Sequence, residues 1–317
     1  MTGRRSALAV QVAGLDFQNP IVLAAGTAAY GRELAEVVDL GALGGLVTKA
    51  VSPLPRAGAP APRVAEFTGG MINAVGLANP GVDAVRREHL PWLATELPGV
   101  RKIANIVGFS TEEFGAVVEQ LDAAVASESA GALDGYELNV SCPNVKAGGM
   151  EFGADPAALA EVVRRARAVT RRPLFVKLSP TLPDIARSAA VAVDAGADAL
   201  TLVNTIPGLV IDIGQRRPAL GFGTGGVSGA ALLPVGVLAT WKVRRAVTVP
   251  LLGIGGVASA DDALQYIVAG ASLVGIGTAM LRDPRAPERI VRGLARWCER
   301  NGVSRLSELV GSLKAPA

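Results

Sequence analysis

Cysteine occurs twice and histidine once in 317 residues, and each scarcity removes a class of function. Two thiols, Cys142 and Cys298, make no disulfide framework and cannot alone hold zinc or an iron–sulfur cluster, so no metal site is expected and a reducing cytoplasm is the natural compartment. Aromatic residues are 4% of the chain, too few for a surface that stacks on bases. Neither sign of charge dominates: 31 Lys and Arg against 28 Asp and Glu leave +3, too mild and too evenly spread for a nucleic-acid or anionic-membrane partner. Long apolar runs are missing too, since no window approaches the ~20 residues that span a bilayer. The opening MTGRRSALAV sets an Arg pair before small apolar residues, but Gln11 and Asp16 interrupt it before it reaches the length of a signal-peptide core. A soluble protein is expected.

Apolar residues are plentiful, at 50% against 19% charged, which allows a sizeable core and argues against disorder. Leu8, Val10 and Val12 alternate, and Gly14 precedes Leu15 and Phe17, which reads as an N-terminal β-hairpin. A repeating unit follows, a short apolar run ending in Gly, Lys or Asn and then an amphipathic stretch. The runs are PIVLAA (20–25), GGLVTK (44–49), RKIANIVG (101–108), GYELNV (135–140), PLFVKL (173–178), ALTLVN (199–204), PLLGIG (250–255) and SLVGIG (272–277). Helical patterns lie at 32–40, 82–97 with Pro91 inside, 111–128, 155–170, 182–196, 232–247, 259–270 and 286–300. Eight βα units without a linker predict one (β/α)8 TIM barrel, a single domain over 1–317. Long insertions at 50–81, 141–154 and 205–231 all follow strands, so they should gather at the C-terminal mouth, where barrel enzymes keep their active sites.

The strand ends are polar. Lys49, Asn105, Asn139, Lys177, Asn204 and Thr205 all fall at that level, and such groups facing a barrel interior require partners. A single one could be a satisfied structural group, but five strands sharing the pattern suggest a polar, planar ligand. The last two strands run into glycine, GIGGV (253–257) and GIGTA (275–279), each before a helix; together they read as a phosphate cradle, with GTGGVSG (223–229) as a third glycine-rich turn. A phosphate cradle, two lysines and carboxamides suit flavin mononucleotide (FMN). No dinucleotide fingerprint is present, because GIGGVA lacks the final glycine.

Oxidation of a saturated C–C bond by a flavin also needs a base. His89 lies within the helix predicted at 82–97, where a packing or surface role is the plainer reading. Cys142, on the loop after the fourth strand, can act as a base if its thiol pKa is brought towards the working pH, although a free cysteine can equally be a small core residue. Cys298, in an amphipathic C-terminal helix, is read as a core residue.

ELNVSCPN (137–144) followed by KAGGMEFGADP (146–156) resembles the signature of class 1 dihydroorotate dehydrogenases, and the likeness continues through TKA (48–50), PRVAE (62–66), GMINAVGLANPG (70–81), FVKLSP (175–180), VNT (203–205) and GGVSG (225–229) to the two glycine turns. The resemblance implies an FMN barrel that oxidises (S)-dihydroorotate to orotate in pyrimidine synthesis. It implies Cys142 as the base for the C5 proton while the C6 hydride passes to flavin N5. It places Lys49, Asn73, Asn139, Asn144, Asn204 and Thr205, with backbone around Gly76 and Leu77, at orotate. It places Ala25, Lys49, Asn105, Asn139, Lys177, Val203, Gly229, Gly255, Gly256, Gly277 and Thr278 at FMN. SCPNVKAGG is most similar to subclass 1B, which implies a homodimer joined by an electron-transfer subunit with FAD and a [2Fe–2S] cluster into a heterotetramer that reduces NAD+. The chain departs from the pattern at Ala59, where Asn is usual, at Ala28–Ala29, where bulkier residues stand, and in KAVS (49–52), where a Thr-rich run is usual. None of these removes a catalytic group. A dihydropyrimidine dehydrogenase-like barrel, a Schiff-base aldolase using Lys177 and a non-catalytic phosphate-ligand binder are the competing readings.

Overall fold

A computed structural model describes residues 6–141, 143–144 and 150–314, with only the backbone at Pro143, Asn144 and Met150. The chain opens with a hairpin, β1 (Val10–Val12) and β2 (Leu15–Phe17), paired antiparallel through Val12↔Leu15. Eight apolar strands then form a closed parallel barrel: β3 (Ile21–Leu23), β4 (Gly45–Val47), β7 (Arg101–Ile106), β8 (Gly135–Asn139), β11 (Leu174–Leu178), β12 (Ala199–Leu202), β17 (Leu251–Ile254) and β18 (Leu273–Ile276), with β18 closing onto β3. The fold is the expected TIM barrel. Each strand is shorter than its apolar run: Lys49 lies beyond β4, and Asn204 and Thr205 beyond β12.

Side chains alternate across these strands, so every second residue enters the barrel. Val22, Val47, Ile103, Phe175, Ala199, Leu252 and Leu273 fill the lower interior, and Val12 and Phe17 of the hairpin join the same cluster. Phe17 is 1% exposed and its ring reaches Gly45, the first residue of β4. The hairpin is therefore the floor plug; burying such a phenyl ring contributes about 1.5–3 kcal/mol.

The outer layer contains α1 (Val82–Ala84), α2 (Leu90–Glu96), α3 (Thr111–Ser127), α4 (Pro156–Val169), α5 (Ile185–Asp194), α6 (Leu233–Arg244), α7 (Ala260–Ala269), α8 (Thr278–Arg282) and α9 (Ala286–Asn301). Their starts carry the capping chemistry visible in the sequence. Asp155 caps α4 ahead of Pro156, and Ser259 with Asp262 forms a capping box on α7. A π turn over Val85–His89 separates α1 from α2, so that Pro91, which has no N–H, sits in the first turn of a new helix.

The expected helix at 32–40 does not form. Ala35 N–H donates to Gly31 O and Val38 N–H to Leu34 O, but as isolated turns, followed by a short 3-10 turn at Leu40–Ala42. Gly31 has φ +93, and a side chain there would meet the Trp92 ring at 3.0 Å. That long-range fit directs the chain more strongly than the local apolar period.

Two of the long insertions do meet over the barrel mouth. β5 (Val64–Phe67) and β6 (Gly70–Asn73) come from the insertion after β4, and β13 (Ile206–Gly208) and β16 (Gly225–Ser228) from the one after β12. They form one antiparallel sheet, β13-β16-β6-β5, with Asn73 opposite Gly226. Two short ribbons complete the set: β9 (Pro143–Asn144) with β10 (Met150–Glu151), and β14 (Ile211–Asp212) with β15 (Arg217–Pro218).

Candidate active site

Alternation along β7, β8, β11 and β12 puts Asn105, Glu137, Asn139, Lys177 and Thr201 on the inner face above the apolar layer. Asn105 and Glu137 are 1% exposed and Thr201 is fully buried. Glu137 takes a hydrogen bond on each oxygen, from Asn105 Nδ2 at 2.7 Å and from Thr201 Oγ1 at 2.7 Å. Sequence reasoning singled out Asn105 but passed over Glu137 and Thr201. The available signal was an acid two residues before Asn139, on the same face of an otherwise apolar strand.

A second chain of hydrogen bonds runs along the rim. Thr205 N–H can only donate, and it does so to Asn204 Oδ1 at 2.9 Å. This turns Asn204 Nδ2 towards Asn139 Oδ1, at 3.2 Å. Asn139 Nδ2 has no acceptor among the described residues, which leaves its amide hydrogens to donate.

Lys177 is 7% exposed and makes no hydrogen bond or ion pair among the described residues. Ser141 Oγ, just past β8, is buried and likewise unpartnered among them. An ammonium held out of water without an acceptor is expensive; both groups match a ligand that supplies acceptors. Lys49 is half-buried, with its backbone N–H on Ala29 O at 2.7 Å. Beside it opens a cavity of about 310 Å³ lined in part by Tyr30, Glu33, Asn79 and His89. His89, read from sequence as a packing or surface residue, stacks on Tyr30 with ring centroids 4.1 Å apart, and burial lowers its pKa. Burial raises the Tyr30 pKa, and its hydroxyl donates to Ala50 O at 3.1 Å.

Asn73 Nδ2 donates to Gly226 O at 3.2 Å, which ties the overlying sheet together. Gly76 and Leu77 both have positive φ, +69 and +57, and a side chain on Gly76 would lie 2.4 Å from Ala59 N. The backbone there packs closely against residues 58–59, with no room for a side chain. Ala25 is partly buried at the top of the interior cluster, and Val203 is buried just past β12. Gly229, Gly255 and Gly256 have φ +97, +118 and +76, and a Cβ on Gly229 or Gly256 would lie 2.7 Å from Gly70 Cα or 2.5 Å from Leu233 N. Gly277 caps the start of α8, and Thr278 Oγ1 donates to Ser228 Oγ at 2.8 Å, which joins two of the glycine turns. Cys142 lies outside the described residues, as does the side chain of Asn144. Cys298 is buried at 2% exposure, in keeping with a core role.

The site therefore brings together two lysines, three oriented carboxamides, a hydroxyl with no partner among the described residues and a rim of glycines, most of them at positive φ. This donor set fits a flavin carrying a phosphate. The family model described as dihydroorotate dehydrogenase matches residues 7–297. The chain is 47% identical over 307 residues to the Pelobacter propionicus protein named dihydroorotate dehydrogenase B (NAD(+)), catalytic subunit, covering 97% of this chain and 98% of that one. The protein of that name from Geotalea daltonii is 46% identical with the same coverage. A protein of Solibacter usitatus named putative dihydroorotate dehydrogenase A (fumarate) is 48% identical, again covering 97% and 98% of the two chains.

Proposed function

The chain belongs to the dihydroorotate dehydrogenase family, and from that premise we propose that it oxidises (S)-dihydroorotate to orotate in pyrimidine synthesis with FMN as its cofactor. The observation that carries the reading is Lys177, buried inside the barrel with no partner among the described residues, which calls for an electron-rich ligand at the level of Asn105 and Asn139. Bound there, FMN supplies a hydride acceptor at N5 for the C6 hydrogen.

The protein's own groups do the rest. Lys49, half-buried at the mouth, offers a positive charge to the substrate carboxylate. Asn139 donates to substrate oxygens, Asn204 holds it in that orientation, and Asn73, Asn144, Thr205 and the backbone at Gly76 and Leu77 complete the substrate pocket. Cys142 takes the C5 proton. Lys177, Asn105, Ala25 and Val203 hold the ring system, and Gly229, Gly255, Gly256, Gly277 and Thr278 hold the phosphate through backbone N–H groups. Electrons leave for NAD+ through a second subunit, in line with the names of most of the relatives quoted above; the resemblance to subclass 1B gives that subunit FAD and a [2Fe–2S] cluster, and the two catalytic chains form a dimer within that assembly.

The test is an anaerobic titration of the purified chain with dihydroorotate, following the visible flavin spectrum. Stoichiometric bleaching is the expected result. A bound flavin that ignores dihydroorotate but responds to dihydrouracil would replace this reading with that of a dihydropyrimidine dehydrogenase.

A further inference from the structure

Glu137 stands out inside the barrel because it is a carboxylate with no ion pair among the described residues, 1% exposed, and held only by neutral donors. A carboxylate has no hydrogen to give, so whatever faces it must donate. Asn105 therefore spends Nδ2 on Glu137 Oε1, and the Thr201 hydroxyl points its hydrogen at Oε2, each at 2.7 Å. Asn105 Oδ1 has no hydrogen-bond partner among the described residues, so this oxygen is left to accept from a ligand. Asn105 N–H is held independently, by Thr48 Oγ1 at 3.3 Å, so the backbone cannot turn with the side chain.

We propose that Glu137 is a positioning residue for the cofactor: it locks the Asn105 carboxamide with oxygen outward, so that this position recognises a hydrogen-bond donor on the ligand and rejects an acceptor. The inference rests on the flavin reading above. An isoalloxazine ring carries one such donor, its imide N–H, among several acceptors. The rim works with the opposite polarity, since Asn139 has its oxygen occupied by Asn204 and presents N–H. Two carboxamides on neighbouring strands are thus set to complementary polarities, one by an acid and the other by a backbone amide.

A double-mutant cycle on FMN affinity, read by quenching of flavin fluorescence in the full chain, tests this. Asn105→Ala loses one hydrogen bond to the ring and should weaken FMN by roughly tenfold. Glu137→Leu releases the carboxamide and should weaken FMN by about three- to tenfold, whereas Glu137→Gln, which can still accept from Asn105, should recover most of that loss. Because Glu137 acts through Asn105, Asn105→Ala/Glu137→Leu should bind no more than about twofold worse than Asn105→Ala alone. Should Glu137→Leu fail to fold, Glu137→Leu/Thr201→Val, which strands no hydroxyl, takes its place in the cycle. Additive losses, or full affinity in Glu137→Leu, would overturn the positioning role while leaving the flavin reading intact. A folded wild-type chain that binds no FMN overturns the flavin reading, and this inference with it.

Discussion

Asn204 Nδ2 donates to Asn139 Oδ1 at 3.2 Å, joining the ends of two barrel strands across the one that carries Lys177. The bond has one allowed direction because Asn204 Oδ1 is already taken by Thr205 N–H. Asn204→Ala should leave flavin content unchanged and lower kcat/KM for dihydroorotate roughly 10- to 100-fold, the effect of losing one well-placed hydrogen bond near a substrate. Asn204→Asp should be lower still. Its carboxylate can only accept, which turns Asn139 oxygen outward and adds a negative charge near an anionic substrate. Steady-state kinetics on flavin-replete protein separates the two variants.

Cys142 tests the proton half of the reaction independently of the hydride half. Cys142→Ala should retain FMN and slow flavin reduction by dihydroorotate by about 10²–10⁴, the usual effect of a lost general base. Cys142→Ser should be slow at neutral pH, because an alcohol is a far weaker base than a thiolate. Stopped-flow reduction under anaerobic conditions measures this directly, and an unchanged rate in Cys142→Ala would remove the thiol from the mechanism.

Legibility in the sequence follows the range of the interactions involved. Asn105, Asn139 and Lys177 could be read because a strand alternates and an apolar run that ends in polar residues marks its own inner face. Glu137 sits on that same face, two residues from Asn139, yet its meaning depends on Asn105 and Thr201, which are 32 and 64 residues away. The helix pattern at 32–40 failed for a similar reason: Gly31 has a positive φ, and any side chain there would meet the Trp92 ring at 3.0 Å, a constraint that no local periodicity reports. The meeting of two insertions over the mouth was foreseeable from barrel topology, but their pairing into one sheet through Asn73 and Gly226 was not.

The floor of the barrel gives a stability prediction separate from the chemistry. Gly44 lies before β4, and a Cβ there would come 2.0 Å from Asn19 O and 3.1 Å from Ile21 O, both backbone atoms. Neither can yield without moving β3, and Gly44 N–H is itself bonded to Ile21 O at 2.9 Å. Gly44→Ala should destabilise the fold by about 2–4 kcal/mol, at the upper end for overpacking. Urea denaturation of wild type and variant checks this, and FMN affinity of the folded variant should be near normal, since the mouth lies at the far end of the strands.

His89 makes acid sensitivity partly attributable to one side chain. Its pKa is lowered in the fold, first by burial and then by Arg32, against the opposing pull of Glu33 and Glu88; Lys49 lines the same cavity. A base with a depressed folded pKa is neutral in both states at pH 7.5 and contributes no pH dependence there. As pH falls below its unfolded value of about 6.5, the unfolded chain takes up a proton that the native chain refuses, so stability drops until pH reaches the lower folded value. His89→Phe keeps a ring to stack on Tyr30 and removes the proton site. Between pH 7.5 and 5 the variant should therefore lose less unfolding free energy than wild type, with all other titrating groups common to both. Parallel urea titrations at several pH values measure the difference. Equal slopes would mean that His89 takes up its proton as readily in the native cavity as in the unfolded chain, and that burial beside Tyr30 does not set its charge.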